Sequence, residues 1–346
     1  MRLRLFLLLL IAAFAVSACG SDDDGDATTP AASTSTAAKA ASAFPVTVEH
    51  QFGSTTVPKT PQRIAVVGLT EQDTVLALGF KPIATTEWYG EQPYAVWPWA
   101  QAALGDAKPT VLSNKDGFEF EKIASLRPDL IIGTNAGMKR ADYEKLSAIA
   151  PTITSEKGST EYFDRWDRQT VQVARALGKE AEGRQLVADV KAGYAKVAAE
   201  HPEFAGKTVT FSQNGFYGGL IYVYPAGLNT EFLTYLGLKV NPKIGPLAKP
   251  GEQAGISAEK LDVLEADAIL FATEAPKDIR ALLKVPTFKT LEAVAENRSV
   301  YTDGTLAGAI YFISPLSLPY VLERLPDQLS AALAGKAPRR IIDTSR

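Results

Sequence analysis

The sequence predicts an α/β protein of two lobes joined by a single long helix. Short β-branched strands alternate with helices over residues 46–178, and the same alternation returns over 201–346. The longest helical stretch, 179–200, separates the two regions. Alternation of strands and helices is typical of α/β folds with parallel sheets. A chain of 346 residues also suits two lobes better than one hydrophobic core.

The predicted first lobe begins with a hairpin, in which VTVEHQ and TTV flank a turn around Phe52, Gly53 and Ser54. The strand PQRIAVVG, the helix TEQDTVLALG and the strand KPIATT follow it. The same order returns in FEKIASLRP, DLIIGTN, ADYEKLSAIA and PTITS, and the amphipathic helix EYFDRWDRQTVQVARALG ends this lobe at Gly178. This order predicts a parallel sheet with helices between its strands.

The connecting helix is predicted because apolar residues recur at helical spacing on one face of 179–200. These residues are Leu186, Val187, Val190, Tyr194 and Val197. The predicted second lobe repeats the alternation in KTVTFSQ, TEFLTYLG, LDVLEADAILFAT and KTLEAVAENRSVYTDG. It closes on a C-terminal helix, SPLSLPYVLERLPDQLSAALAG.

The N-terminus has the pattern of an exported, lipid-anchored chain. Two arginines and an apolar run lead to the small residues of VSAC and to Cys19, the only cysteine in the sequence. The run is shorter than a membrane span, whereas its length fits a signal peptide, which we assign to residues 1–18. VSAC resembles the lipobox of bacterial lipoproteins, which implies a lipidated Cys19 and an extracytoplasmic position on the cell membrane. The composition of residues 19–45, rich in Asp, Thr, Ser and Ala, predicts a flexible tether.

Five segments occur in matching order between residues 46 and 333: PVTVEHQFGSTTVPKTPQRIAVVG, FEKIASLRPDLIIG, YEKLSAIAPTI, ISAEKLDVLEADAIL and SPLSLPYVLERL. Together they resemble the helical-backbone class of substrate-binding proteins, which serve ABC importers of ferric siderophores, haem and cobalamin. The resemblance implies two Rossmann-like lobes with a ligand cleft between them and a rigid connecting helix. It also implies a monomer that docks on a permease dimer with its cytoplasmic ATPase. The favoured ligand is a ferric siderophore, with no cofactor and with iron bound only through its chelator; haem and cobalamin stay open.

Two carboxylates are candidates for docking on the permease. Members of this class dock through one carboxylate in each lobe, and the matching residues are Glu121 in FEFEKIASLRPDL and Glu259 in ISAEKLDVLEADA. Each lies near the predicted start of a helix, where the helix dipole alone would also favour a carboxylate. Glu119 is the nearest competitor to Glu121.

Aromatic and cationic side chains that follow predicted strands are candidates for the ligand site. In open α/β sheets, ligands bind beyond the carboxyl ends of the strands. A siderophore site needs aromatic walls and cations that meet the oxygens of the chelate. The residues chosen on this basis are Trp88, Tyr89, Arg140, Tyr217, Arg280 and Tyr311. The alternative for Trp97 and Trp99 is packing within their own loop, and the alternative for Tyr222 and Tyr224 is a core role.

Composition and motifs argue against several other function classes. The net charge of −3 does not suit nucleic acid, which requires a basic face. His50 and His201 are the only histidines and fall away from the predicted cleft, so we expect neither a bare metal site nor histidine-dependent catalysis. No G-x-S-x-G motif occurs in the sequence. An enzyme that uses a pair of catalytic carboxylates is the alternative that stays open. Met138 follows a predicted strand and keeps haem as the second choice of ligand, because haem iron takes an axial His, Met or Tyr.

Overall fold

The computed structural model describes residues 43–338 of the chain. The predicted signal peptide, Cys19 and nearly all of the predicted tether lie outside these residues. Among the helices of residues 43–338, none combines the length and the apolar character that a membrane span requires.

A hairpin and a parallel five-stranded sheet form the first part of the fold. Strands β1 (Val46–His50) and β2 (Gly53–Val57) pair antiparallel, as the sequence predicts. The sheet contains β3 (Ile64–Val66), β4 (Ala84–Glu87), β5 (Thr110–Ser113), β6 (Leu130–Gly133) and β7 (Thr152–Thr154). Its order is β5-β4-β3-β6-β7, and all pairs are parallel. Strands β4 and β5 are therefore added on one side of β3 and strands β6 and β7 on the other, and Ala65 of β3 pairs with Ala84 on the first side and with Ile131 on the second.

Helices cover both faces of this first sheet, so its central strands β3 and β6 are buried along their whole length. The helices are α1 (Glu71–Ala77), α2 (Pro98–Leu104), α3 (Phe120–Ser125), α4 (Arg140–Ser147) and α5 (Trp166–Ala176). Four of them match predicted helices, whereas α2 falls in a segment interpreted as a loop from its sequence. A 3-10 turn, Pro93–Ala95, precedes α2. We refer to the hairpin, this sheet and its helices as the first lobe.

A single long helix, α6 (Glu180–Glu200), leads from the first lobe to the second sheet. Its buried residues Val190 and Tyr194 belong to the apolar face that the sequence predicts. The Tyr194 hydroxyl donates a hydrogen bond of 3.2 Å to the carbonyl of Leu318, in the C-terminal helix. The connecting helix is thus attached by its side chains to the lobe that follows it.

The second sheet is mixed rather than a repeat of the first. It contains β8 (Thr208–Gln213), β9 (Leu220–Val223), β10 (Lys239–Val240), β11 (Ala254–Ser257), β12 (Ala268–Ala272) and β13 (Ser299–Tyr301). The order is β11-β9-β8-β12-β13, with β10 also beside β8. Strands β9 and β11 run antiparallel to their neighbours, which the sequence-based alternation did not predict. The connection from β8 to β9 is too short for the crossover that parallel neighbours require.

The remaining helices pack around the second sheet and complete the second lobe. They are α7 (Glu231–Thr234), α8 (Pro276–Leu282), α9 (Glu292–Ala295), α10 (Gly304–Phe312) and α11 (Ser317–Leu333). The 3-10 helices of this half are Pro202–Phe204, Gly245–Leu247, Ala258–Leu264 and Pro286–Thr290. Each sheet lies within one predicted lobe, 46–178 or 201–346, and these boundaries stay a prediction.

Candidate functional site

Three residues predicted for the ligand site lie together where the two lobes meet. Trp88 and Tyr89 follow β4 in the first lobe, and Tyr311 lies on α10 in the second. The ring centroids of Tyr89 and Tyr311 are 6.0 Å apart, and those of Trp88 and Tyr311 are 6.5 Å apart. Trp88 keeps 37% of its surface exposed. Trp88 therefore forms the exposed edge of an aromatic cluster between the lobes, in which Tyr89 is half-buried and Tyr311 is buried.

Trp97, which is buried, and Trp99, which is half-buried, extend this aromatic cluster. Trp97 is the N-cap residue of α2 and Trp99 lies within α2, so the interpretation of this segment as a loop was wrong. Their rings stack with centroids 5.1 Å apart, and Phe312 of the second lobe contacts both at 5.9 and 5.3 Å. The two tryptophans therefore pack across the interface between the lobes as well as against each other.

The close approach of α10 to Trp97 depends on Gly308. A Cβ atom at Gly308 would lie 2.5 Å from the Trp97 ring, which is closer than carbon atoms pack. Gly90, from the other side, would place a Cβ atom 2.7 Å from the same ring and has φ of +85°. Both glycines are required for Trp97 to fit between the lobes.

A cavity of about 360 Å³ opens beside the aromatic cluster, at the carboxyl ends of β8 and β12. Its aromatic lining residues are Phe216, Tyr217 and Tyr222, and its polar lining residues include Gln213, Asn214, Gln253, Glu274 and Asp278. Tyr217, which the sequence analysis selected, is 79% exposed and lies at the rim. Tyr222 lines the cavity, whereas Tyr224 is buried and stacks on Phe211 at 4.3 Å, in agreement with a core role.

Two buried polar atoms near this cavity lack hydrogen-bond partners among the described residues: the Tyr89 hydroxyl and Asn214 Oδ1. Burial, together with the charge of Glu274, raises the pKa of Tyr89, so its hydroxyl keeps its proton and remains a donor. The Tyr311 hydroxyl is engaged, because it donates to the Ala272 carbonyl at 2.8 Å and accepts from the Asn214 backbone N–H at 3.2 Å. One buried donor and one buried acceptor therefore have no hydrogen-bond partner among the described residues.

The two arginines predicted from the sequence, Arg140 and Arg280, belong neither to the aromatic cluster nor to the lining of the cavity. The Arg140 guanidinium lies 4.9 Å from the centroid of the Phe52 ring, in the N-terminal hairpin. Arg280 is exposed on α8, whose Asp278 and Ala281 line the cavity although Arg280 does not. Their roles as ligand contacts stay predictions.

A smaller cavity of about 90 Å³ lies in the first lobe, and its lining includes Met138, Lys139 and Glu161. Met138 is only 5% exposed and belongs to the core of this lobe. A Cβ atom at Gly133 would lie 2.7 Å from Met138 Cε, so the thioether packs on the end of β6. His50 is hydrogen-bonded to Thr55 at 3.0 Å, and burial lowers its pKa. Neither residue offers a free axial ligand to haem.

Glu121 and Glu259 occupy equivalent positions in their local structures. Glu121 is the second residue of α3, and Glu259 is the second residue of the 3-10 helix Ala258–Leu264. Both are exposed, and neither has an ion pair or side-chain hydrogen bond among the described residues.

The competing residue Glu119 is held by local contacts. Its carboxylate accepts a 2.7 Å hydrogen bond from the Ser113 backbone N–H and lies 3.1 Å from Lys122. The Ser113 hydrogen bond, with the Lys122 contact, lowers the pKa of Glu119. Glu121 is therefore the freer of the two carboxylates for a partner.

Metal-ligating side chains are not grouped in residues 43–338, since no three of the described His, Cys, Asp and Glu residues could hold an ion together.

Comparison with known proteins agrees with this architecture. A family model described as "Periplasmic binding protein" matches residues 64–306. The probable siderophore-binding lipoprotein YfiY of Bacillus subtilis is 29% identical over 237 residues, covering 66% of this chain and 68% of YfiY. The crystal structure of a periplasmic solute-binding protein of Mycobacterium smegmatis has a TM-score of 0.78 at 42% identity, covering 83% of this chain and 98% of that one. Streptococcus pneumoniae PiaA in complex with ferrichrome has a TM-score of 0.70 at 26% identity, covering 84% and 99%.

Proposed function

Because the chain belongs to the periplasmic binding protein family, we propose that it captures a ferric siderophore outside the cytoplasm and delivers it to an ABC-transporter permease. The observation that carries this proposal is the aromatic cluster between the lobes, which is exposed at Trp88 and whose Tyr311 is hydrogen-bonded to Asn214 in the lining of the cavity. Aromatic walls with a few polar groups are typical of sites that bind organic ligands. The family is one of transport binding proteins, and we propose no catalytic role.

Two relatives support a siderophore as the ligand. YfiY is named as a probable siderophore-binding lipoprotein, and PiaA was crystallised with ferrichrome. In this chain, the free Tyr89 hydroxyl is suited to donate to a chelate oxygen, and Trp88 to pack on the apolar parts of the chelator. A lipid on Cys19 would hold the receptor at the membrane surface near its permease.

Titration of tryptophan fluorescence tests ligand binding. We expect saturable quenching of the full chain, purified in detergent, by at least one ferric siderophore, with weaker effects of the iron-free chelator. Trp88→Ala is expected to weaken binding about tenfold, because it removes a large aromatic contact surface. Tyr94→Ala is a matched control, since Tyr94 is also 37% exposed and lies outside the aromatic cluster. Response to haem, and to no ferric chelate, would reject the siderophore in favour of haem.

Substitution of the two exposed carboxylates tests docking. Glu121→Gln and Glu259→Gln are each expected to leave siderophore affinity unchanged and to lower cellular iron-siderophore uptake about tenfold, the equivalent of one lost charge contact. Uptake of radiolabelled iron chelate measures the effect, with Glu144→Gln, an exposed carboxylate on α4, as control. Loss of ligand affinity in either variant would instead place that residue in the ligand site.

A further inference from the structure

The cavity beside the aromatic cluster has an acidic lining. Two carboxylates, Glu274 and Asp278, line it, and its described lining residues include no Lys, Arg or His. The Asp278 carboxylate accepts hydrogen bonds from the backbone N–H groups of Glu274 at 3.2 Å and Ala275 at 2.7 Å. These two hydrogen bonds hold the Asp278 carboxylate in place in the lining of the cavity.

Glu274 contributes a second carboxylate to the cavity, and Lys277 offsets its charge only in part. Its carboxylate has no hydrogen bond or ion pair among the described residues, and it is only partly exposed. Burial and the charge of Asp278 raise the pKa of Glu274, and Lys277 opposes them only in part. An arriving positive charge would therefore relieve an unfavourable interaction that already exists in the free protein.

The cations of the neighbouring surface do not enter the cavity. Lys277 and Arg280 are exposed on α8, and neither lines it. In the first lobe, Lys139 lines the smaller cavity, as does Glu161. Asn214 also lines the acidic cavity, and its Oδ1 is buried without a hydrogen-bond partner among the described residues. Like the carboxylates, this amide oxygen can only accept a hydrogen bond. The site therefore offers hydrogen-bond acceptors and negative charge to the part of a ligand that enters it.

We infer, on the premise of the siderophore function proposed above, that this receptor selects ferric chelates that are positively charged or uncharged and carry N–H donors, with an ammonium or amide group in the acidic cavity. Trihydroxamate chelates have this chemistry, because three hydroxamates neutralise Fe³⁺ and leave any pendant amine positive. Ferric tris-catecholates and ferric citrate complexes are anionic, so Glu274 and Asp278 would repel them.

A matched pair of chelates isolates the charge. Ferrioxamine B carries a free ammonium group, and its N-acetylated form lacks that charge with the same iron centre. We expect the full chain in detergent to bind ferrioxamine B about tenfold more tightly than the acetylated form, since one contact of opposite charges at a partly buried site has this effect. Ferrichrome, ferric dicitrate and ferric enterobactin complete the series, and both anionic chelates are expected to bind most weakly.

Glu274→Gln tests the residue without changing its size. This variant is expected to lose the preference for ferrioxamine B over its acetylated form and to bind the acetylated form within about twofold of wild type. Glu144→Gln, with the same charge change on an exposed surface, should keep the preference. The comparison of the two chelates on the wild-type chain needs no variant, so a folding defect in Glu274→Gln would not prevent the test.

The outcomes separate this inference from the function on which it rests. Tighter binding of ferric dicitrate or ferric enterobactin than of either ferrioxamine would overturn the charge selection and leave a siderophore receptor. Equal affinity for ferrioxamine B and its acetylated form would also overturn it. Failure of every ferric chelate to bind would reject the siderophore function itself.

Discussion

Trp97→Ala is expected to lower the free energy of unfolding by about 3–5 kcal/mol, the usual effect of truncating a buried aromatic side chain. Trp97 is 4% exposed, stacks on Trp99 with centroids 5.1 Å apart, and contacts Phe312 of the second lobe. Its removal would leave a cavity that Gly90 and Gly308 have no side chains to fill. Urea denaturation followed by far-ultraviolet circular dichroism measures the change.

Two further variants serve as controls for the Trp97→Ala result. Tyr94→Ala removes an aromatic side chain from the preceding 3-10 turn, where it is 37% exposed, and is expected to change stability by less than about 1 kcal/mol. Gly308→Leu places a side chain against the Trp97 ring and should destabilise by about 1–3 kcal/mol through overpacking. A Trp97→Ala variant as stable as the Tyr94→Ala control would contradict the packed interface between the lobes.

The sequence predicted most of the first sheet because its strands are short, β-branched and separated by amphipathic helices. The second sheet differs from its prediction in the direction of its strands. The antiparallel pairing of β9 with β8 and with β11 depends on the lengths of the connections and on contacts between strands distant in sequence. The local periodicity of the sequence contains no information on either. Helix α2 was missed because its tryptophans and Pro98 suggested a loop, although proline is favoured in the first turn of a helix.

In the candidate site, too, some features could be predicted from the sequence and others could not. Trp88 and Tyr89 could be selected because they directly follow strand β4, and the fold brings their rings together with that of Tyr311 on α10. The sign of charge in the cavity could not be predicted, since it depends on which side chains of α8 face inward. Asp278 lines the cavity, whereas Arg280, two residues later, is exposed.

Asp73 illustrates a contact that no local pattern could reveal. It lies on α1, is completely buried, and accepts hydrogen bonds from Trp99 Nε1 at 2.7 Å and from the Ser314 hydroxyl. Ser314 follows α10 in the second lobe, so this carboxylate joins the lobes across 241 positions of sequence. Its other oxygen, Oδ1, has no partner among the described residues.

Ionisation of Asp73 is expected to make the stability of the protein depend on pH. Burial raises the pKa of Asp73 from 3.8 to about 6, although the Ser314 and Trp99 hydrogen bonds act in the opposite direction. The folded state therefore holds this proton more tightly than the unfolded state does. The stabilising contribution is complete below about pH 4 and is lost as the pH rises through about 6, to a total of about 3 kcal/mol.

Comparison of wild type with Asp73→Asn isolates this contribution, because all other titrating groups are common to both proteins. The stability of wild type relative to Asp73→Asn, from urea denaturation, is expected to fall by about 2–3 kcal/mol between pH 4 and pH 7.5. Ser314→Ala removes one donor to the carboxylate and so raises the pKa of Asp73 in the folded state further, and the fall should therefore extend to higher pH and be larger. Asp116→Asn, which replaces an exposed carboxylate, should follow the wild-type profile. A difference between wild type and Asp73→Asn that is constant over this range would mean that Asp73 does not titrate there, and that its burial at the interface between the lobes is less complete than the structure has it.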